Sequence, residues 1–324
     1  MSGSSGEAGR GGFAVGVRRP AVVVAAALWV LALGGCSIRG LAVNALARSL
    51  AGSGDVFSSD EDPELVRDAL PFALKTMETL LAEKPDHPGL LLSLCSGFTQ
   101  YGFGFVEPEG RALEYVDYRA ARVAFDRALK LYLRARGYCW RALELVSDGV
   151  VGRLQRDPGE PLSEFDRDDV ELLYWSGASW GAALSLGRDR PEIAVDFPAV
   201  RALITRALEL DESWDRGAIH EVMISLESLP ATMGGSEERA RRHFARAVEL
   251  GGGAKAGPYV SLASSVALSN QERGEFVELL ETALAIDVDA EPSLRLVNVL
   301  AQRRASWLLD QVDDLFLEGG DLDE

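Results

Sequence analysis

Three histidines, His87, His220 and His243, are all that the 324-residue chain offers for imidazole chemistry. None has a companion at the spacing of a metal set or a catalytic triad. His87 follows a turn and His243 sits beside Arg241 and Arg242, so both read as solvated surface residues. His220 precedes Glu221 on an apolar stretch, but a zinc-binding helix needs a second histidine one turn further on, and none is there. No phosphate-cradling glycine loop or nucleophile elbow is present. Gly251-Gly252-Gly253 follows a helical run and reads as a helix stop. The expectation is a protein that is not an enzyme and that carries no metal and no cofactor.

Two aromatic segments are better candidates for binding. In Phe98-Thr99-Gln100-Tyr101-Gly102-Phe103-Gly104-Phe105, two glycines stand beside four aromatic residues. Each helical glycine costs about 1 kcal/mol relative to alanine. The segment is therefore a close backbone approach, a cavity edge, or simply the end of a helix. The second segment, Tyr174-Trp175-Ser176-Gly177-Ala178-Ser179-Trp180-Gly181-Ala182-Ala183, alternates small residues with two indoles. Pattern alone favours a buried core helix over one that lines a channel.

The elements that must position these residues begin after a leader. Arg18-Arg19 precede an apolar run from Ala21 to Leu33, too short for the ~20 residues that span a bilayer. The run ends in Leu33-Gly34-Gly35-Cys36, like the lipobox at which a lipoprotein signal is cut. On this reading residues 1–35 are a signal peptide, Cys36 is acylated, and 36–60 form a tether whose end, through Gly52-Ser53-Gly54 and Ser58-Ser59, is flexible. Lipid chains contribute about 0.8 kcal/mol per buried CH2, enough to hold a soluble domain without a spanning helix.

Removing the leader leaves 30 basic against 49 acidic residues, a net charge of −19. Such a surface repels nucleic acid. It also offers no polybasic patch for anionic lipid, so membrane association should rest on the acyl group. Cys95 and Cys139 would meet an oxidising compartment, yet both lie in apolar helical stretches where buried free thiols pack without strain. Free thiols are the favoured expectation.

Residues 61–324 carry an internal period. Phe125-Ala128-Leu129-Leu131, Ile204-Ala207-Leu208-Leu210, Phe244-Ala247-Val248-Leu250 and Leu280-Ala283-Leu284-Ile286 each place an alanine on an apolar helical face. A fifth copy is Leu80-Leu81-Ala82, which runs into Pro85. The spacing predicts an all-α fold of stacked helical hairpins, a degenerate tetratricopeptide-like array. Helices should start near Pro63, with Asp62 or Ser59 as cap, and end near Phe316. Breaks are expected at residues 84–88, 107–110, 156–161, 187–191, 230–235 and 251–257, each containing proline or glycine.

The aromatic segment, the Trp pair, Arg206 to Asp211, Gly234-Gly235 and Leu300 to Leu309 follow the lipobox in an order that resembles the T component of TRAP (tripartite ATP-independent periplasmic) transporters. The resemblance implies a periplasmic lipoprotein with hairpins around a central pore, assembling as a homotrimer with the solute-binding P component and helping to deliver a hydrophobic ligand. It also implies Cys36 as the lipid site and Tyr101, Phe103, Trp175 and Trp180 as candidate pore residues. Ser37, where retained lipoproteins of enteric bacteria carry aspartate, favours the outer membrane. The rival expectation is a general envelope scaffold whose concave face holds a peptide.

Overall fold

The computed structural model describes residues 54–159, 161–187 and 196–316. The leader, Cys36, most of the tether and the acidic C-terminal residues lie outside the described residues. Among those described the chain is helical, with no strand.

Helix α1 (Gly54–Ser58) precedes α2 (Pro63–Glu83), whose start is set by Asp62. Its side chain accepts from the backbone N–H groups of Glu64 and Leu65, and Pro63 supplies a preset first turn. Helix α3 (Pro88–Tyr101) begins on a residue that sequence placed at the surface. The His87 Nδ1 accepts from Leu90 N at 3.2 Å, so this histidine is a helix cap rather than a merely solvated one.

The break expected at residues 107–110 does not occur. A π-helical turn, Gly102–Val106, carries α3 directly into α4 (Glu107–Leu113). Pro108 is tolerated because it directly follows the π turn, where the Glu107 N–H reaches back five residues to the Gly102 carbonyl and the regular four-residue ladder is interrupted.

Helices α5 (Tyr118–Val146), α6 (Val150–Arg156), α7 (Val170–Leu186), α8 (Phe197–Leu210) and α9 (Ala218–Glu227) follow. After them come α10 (Glu237–Leu250), α11 (Gly257–Leu262) with a second π turn at Ala263–Ala267, α12 (Arg273–Leu284), α13 (Arg295–Asp310) and α14 (Val312–Leu315). Neighbours pack in succession: α3 on α5, α5 on α7, α7 on α8, α9 on α10, and α12 on α13.

The alanine period marks the seams. Ala128, Ala207, Ala247 and Ala283 are all buried, and their lack of bulk lets facing helices approach. The fifth copy departs from this. Ala82 is exposed, and Met77 and Leu81 face inward on α2 instead.

The array then returns to its beginning. Helix α13 packs against both α1 and α2. Arg295 donates to the Ser59 carbonyl at 2.8 Å, and Arg303 pairs with Glu64 at 2.7 Å. Helix α13 also joins the two hydrophobic interiors, with Leu296 and Leu300 packed on one and Ala305 and Leu308 in the other. The residues at the end of the expected flexible tether are thus a short docked helix, α1.

Two further features fix the packing. Cys95 on α3 and Cys139 on α5 form a disulfide across a Cα separation of 5.2 Å, where buried free thiols were expected. Helices this close leave two facing sulfurs within bonding reach. Glu227, at the end of α9, is buried between Arg201 and Arg239, each at 2.6 Å. Burial opposes its charge, yet the two guanidiniums hold its carboxyl below the usual carboxylate range.

Candidate functional site

The glycines of the π turn serve close approach. A Cβ on Gly102 would stand 2.7 Å from the Tyr132 ring, and one on Gly104 would stand 3.0 Å from a Leu300 methyl. The first contact seats the turn on α5 and the second seats α13 on the turn. Glu107, one turn beyond Phe103, is held there. It accepts from the Tyr132 hydroxyl at 2.7 Å and pairs with Arg111 at 3.0 Å.

Helix α13 presents its adjacent arginines differently. Successive helical residues point about 100° apart. Arg303 reaches Glu64 on α2, whereas Arg304 makes no hydrogen bond or ion pair with any described residue. The Arg304 side chain is exposed to water, yet burial among surrounding protein pulls it below the ordinary arginine range. Arg111 adds to that shift, while Glu107, Tyr132 and Glu221 oppose it. Arg304 is thus a cation set among many protein atoms while its side chain still meets water.

A second group of titratable side chains, acidic and phenolic, acts on one another around α9 and the residues before it. Glu221 on α9 lies against the backbone at Gly257, where a Cβ would collide with its carboxylate, and Ser261 stands 3.5 Å away. Burial raises the Glu221 carboxyl, with Lys255 opposing and Asp215 adding to the rise. Glu171 is raised by burial and by Asp215. Tyr174 is raised by burial and by the Glu221 and Asp215 carboxylates, and its phenol makes no hydrogen bond with a described residue.

Asp215 and Arg216 both sit at positive φ, 42° and 53°, ahead of Gly217 at 83°. Non-glycine residues avoid this region unless their surroundings hold them there. The Lys255 ammonium does so by donating to the Asp215 carbonyl at 3.0 Å.

The four sequence candidates divide between surroundings. Tyr101 is buried, its ring 5.9 Å from that of Phe105 and its hydroxyl 3.3 Å from Arg127. Phe103, 56 % exposed, stands on the π turn one turn before Glu107. Trp175 is half-buried and meets Tyr174 edge-on at 4.9 Å, beside Glu171. Trp180 is fully buried. Its ring meets Trp140 at 5.0 Å and its indole N–H donates to Asp196 at 3.2 Å.

The small residues around the indoles are filled rather than open. A Cβ on Gly177 would stand 2.5 Å from Ile204, and one on Gly181 would stand 3.3 Å from Val200, so they let α7 meet α8 closely. Sequence reasoning did not find Arg304, Glu107, Tyr132, Tyr174 or Glu221. The one available signal was the adjacent pair Arg303-Arg304 in a helical run rich in Leu, Val and Ala.

His243 also departs from the surface reading. Its Nδ1 lies 2.8 Å from the Nδ1 of His220, joining α9 to α10. The bond requires one ring to donate and the other to accept, so the pair cannot hold two Nδ1 protons. Burial and the neighbouring His220, Arg242 and Arg239 lower His243 to about 4, against Glu227, and burial lowers His220 against Glu212. Folded values below the unfolded value of about 6.5 mean that the unfolded chain binds more protons as pH falls. The pair's contribution is complete above about 6.5 and is lost as pH falls toward 4. Thermal melts between pH 7.5 and 5.5 should show falling stability, and His243→Gln should flatten that dependence. An unchanged slope in the variant would assign the loss to other groups.

A helical-repeat array whose last long helix packs back on its first two defines a scaffold class of protein. Residues 59–316 match the family model of the TRAP transporter T-component, and the chain belongs to that family, a transport accessory. It is also similar to an uncharacterized protein of Treponema pallidum (strain Nichols), 30% identical over 303 residues that cover 88% of this chain and 94% of that protein.

Proposed function

We propose that this chain is a lipid-tethered accessory of a TRAP transport system that docks the solute-binding P component and passes a ligand along the side of the array that carries Arg304 and Tyr174. Cys36 carries the acyl anchor on the periplasmic side of the outer membrane, and the working unit is a homotrimer. The observation that supports the reading is this group of polar side chains, in which Arg304 and the Tyr174 phenol make no hydrogen bond with a described residue while Glu221 acts electrostatically on both. Unpaired polar groups in such a place are commonly completed by water or a ligand.

The ligand is apolar over most of its length, with a polar group that Arg304 can reach. Native mass spectrometry of the full chain is expected to find a retained small molecule, and pull-down to find the solute-binding protein encoded beside it. Arg304→Gln should reduce ligand occupancy about tenfold or more, the value of a charge-assisted hydrogen bond, while leaving the melting temperature within a few degrees. A chain that neither retains a molecule nor captures that protein would leave only the scaffold role.

A further inference from the structure

Among the described residues six large apolar side chains are about two-thirds or more exposed, and four of them lie within nine residues. These are Tyr115, Val116, Tyr118 and Val123, where α4 turns into α5, with Val116 at 82 % and Tyr118 at 70 %. The turn does not need them. Val116 and Asp117 donate backbone bonds to the Leu113 carbonyl, and the Asp117 side chain caps α5 through Ala120 N at 3.0 Å. Arg119 and Arg122 stand exposed on the same tip and pair with no described residue. Of the acids nearby, Glu114 is engaged by Arg111 and Asp117 by its cap, while Asp126 follows Arg122 by one turn of α5.

Two tyrosines, two valines and two free arginines form a mixture suited to a lipid headgroup region. Tyrosine and arginine each present an apolar body and a polar end. A second copy of this chain fits less well. Four side chains fall short of the ~800 Å² per partner of a stable interface. Anionic headgroups complement the unpaired arginines.

The tip also lies at the end where the chain enters the domain. Arg67, in the second turn of α2, pairs with Glu109 in the first turn of α4 at 2.8 Å. Tyr115 is six residues further, within about 20 Å of extended chain. The segment between Cys36 and Gly54 can span up to ~60 Å, ample for tip and anchor to meet one bilayer.

We propose that the tip from Tyr115 to Val123 rests on the membrane, its tyrosines and valines entering the headgroup region of an anionic bilayer while Arg119 and Arg122 meet lipid phosphates. The contact holds the domain in one orientation on its tether. It builds on the acylation of Cys36, and the test keeps the two apart.

The test uses the acylated full chain with Val116→Cys carrying an environment-sensitive nitrobenzoxadiazole label. With Cys36 acylated and Cys95 bonded to Cys139, the new cysteine is the one free thiol. In phosphatidylethanolamine and phosphatidylglycerol vesicles the label should shift to the blue and be quenched by nitroxide-labelled lipid. Arg119→Glu and Arg122→Glu should each shift the docked-to-free ratio by about fivefold or more.

A label that stays water-like on vesicles would overturn the proposal. So would shielding that grows with protein concentration in the absence of lipid, which would give the tip to a second copy. If mass analysis finds no acyl group, the anchor reading fails alone. The same readout is then taken on chain attached through a histidine tag to nickel-lipid vesicles, so the tip is still judged.

Discussion

Replacing Trp180 by alanine is expected to destabilise the fold by about 3–5 kcal/mol, the range for deleting a buried aromatic side chain. Its ring is fully enclosed, with Trp140 edge-on at 5.0 Å and the Arg136 guanidinium 5.7 Å from its centre. The substitution also removes the indole N–H from Asp196, which is itself buried and would keep only Gln155 at 3.2 Å and Arg136 at 3.9 Å. A carboxylate stripped of a donor in that setting adds to the loss. Against a total stability of about 5–15 kcal/mol for a typical fold, this is a large fraction.

Trp175→Ala should behave differently, costing about 1–2 kcal/mol, because the side chain is half-buried and part of its contact is already with water. Urea melts of the two variants check the difference. A Trp180→Ala protein as stable as Trp175→Ala would mean that the Trp180 site already holds space, as a passage wall would.

What the sequence revealed is what repeats over short distances. The alanines at 128, 207, 247 and 283 announce the seams because each satisfies a helical period within its own segment. Asp62 announces α2 because a cap acts on N–H groups two and three residues away. The glycines at 102 and 104 signalled close approach, although not what approaches, since Tyr132 and Leu300 come from distant helices.

Features made by closure were not legible. Arg303 meets Glu64 across 239 residues of sequence, and Arg304 comes under the influence of Glu107 and Glu221, which the fold brings from distant segments. The His220 and His243 pair depends in the same way on how α9 lies on α10. The tryptophan helix left two readings open, buried core and channel lining, with core favoured by pattern. Small residues beside indoles look like empty space until Ile204 and Val200 of α8 are seen to fill it.

The Cys95–Cys139 disulfide closes a loop with a sequence separation of 44, and replacing both cysteines by alanine should cost about 4 kcal/mol through restored freedom of the unfolded chain. Packing contributes little to that figure. Each sulfur lies in a buried seam between α3 and α5, and alanine at both positions leaves a small apolar gap that neighbouring Leu and Ala side chains can partly close. For a domain of this size the expected fall in melting temperature is roughly 10 °C. Reductant should lower the melting temperature of the wild-type chain by a similar amount once mild denaturant admits it to the buried sulfurs, and should leave the double variant unchanged. The single variants separate the terms, since Cys95→Ala alone breaks the cross-link and retains the Cys139 thiol in its site. If both single variants and the double variant melt alike, the cross-link accounts for the effect, whereas a double variant as stable as wild type would show that the two sulfurs are not joined. The need for such a bond also bears on where the chain folds. An oxidising compartment supplies it, and a chain retained among cytosolic thiols would fold without those kilocalories.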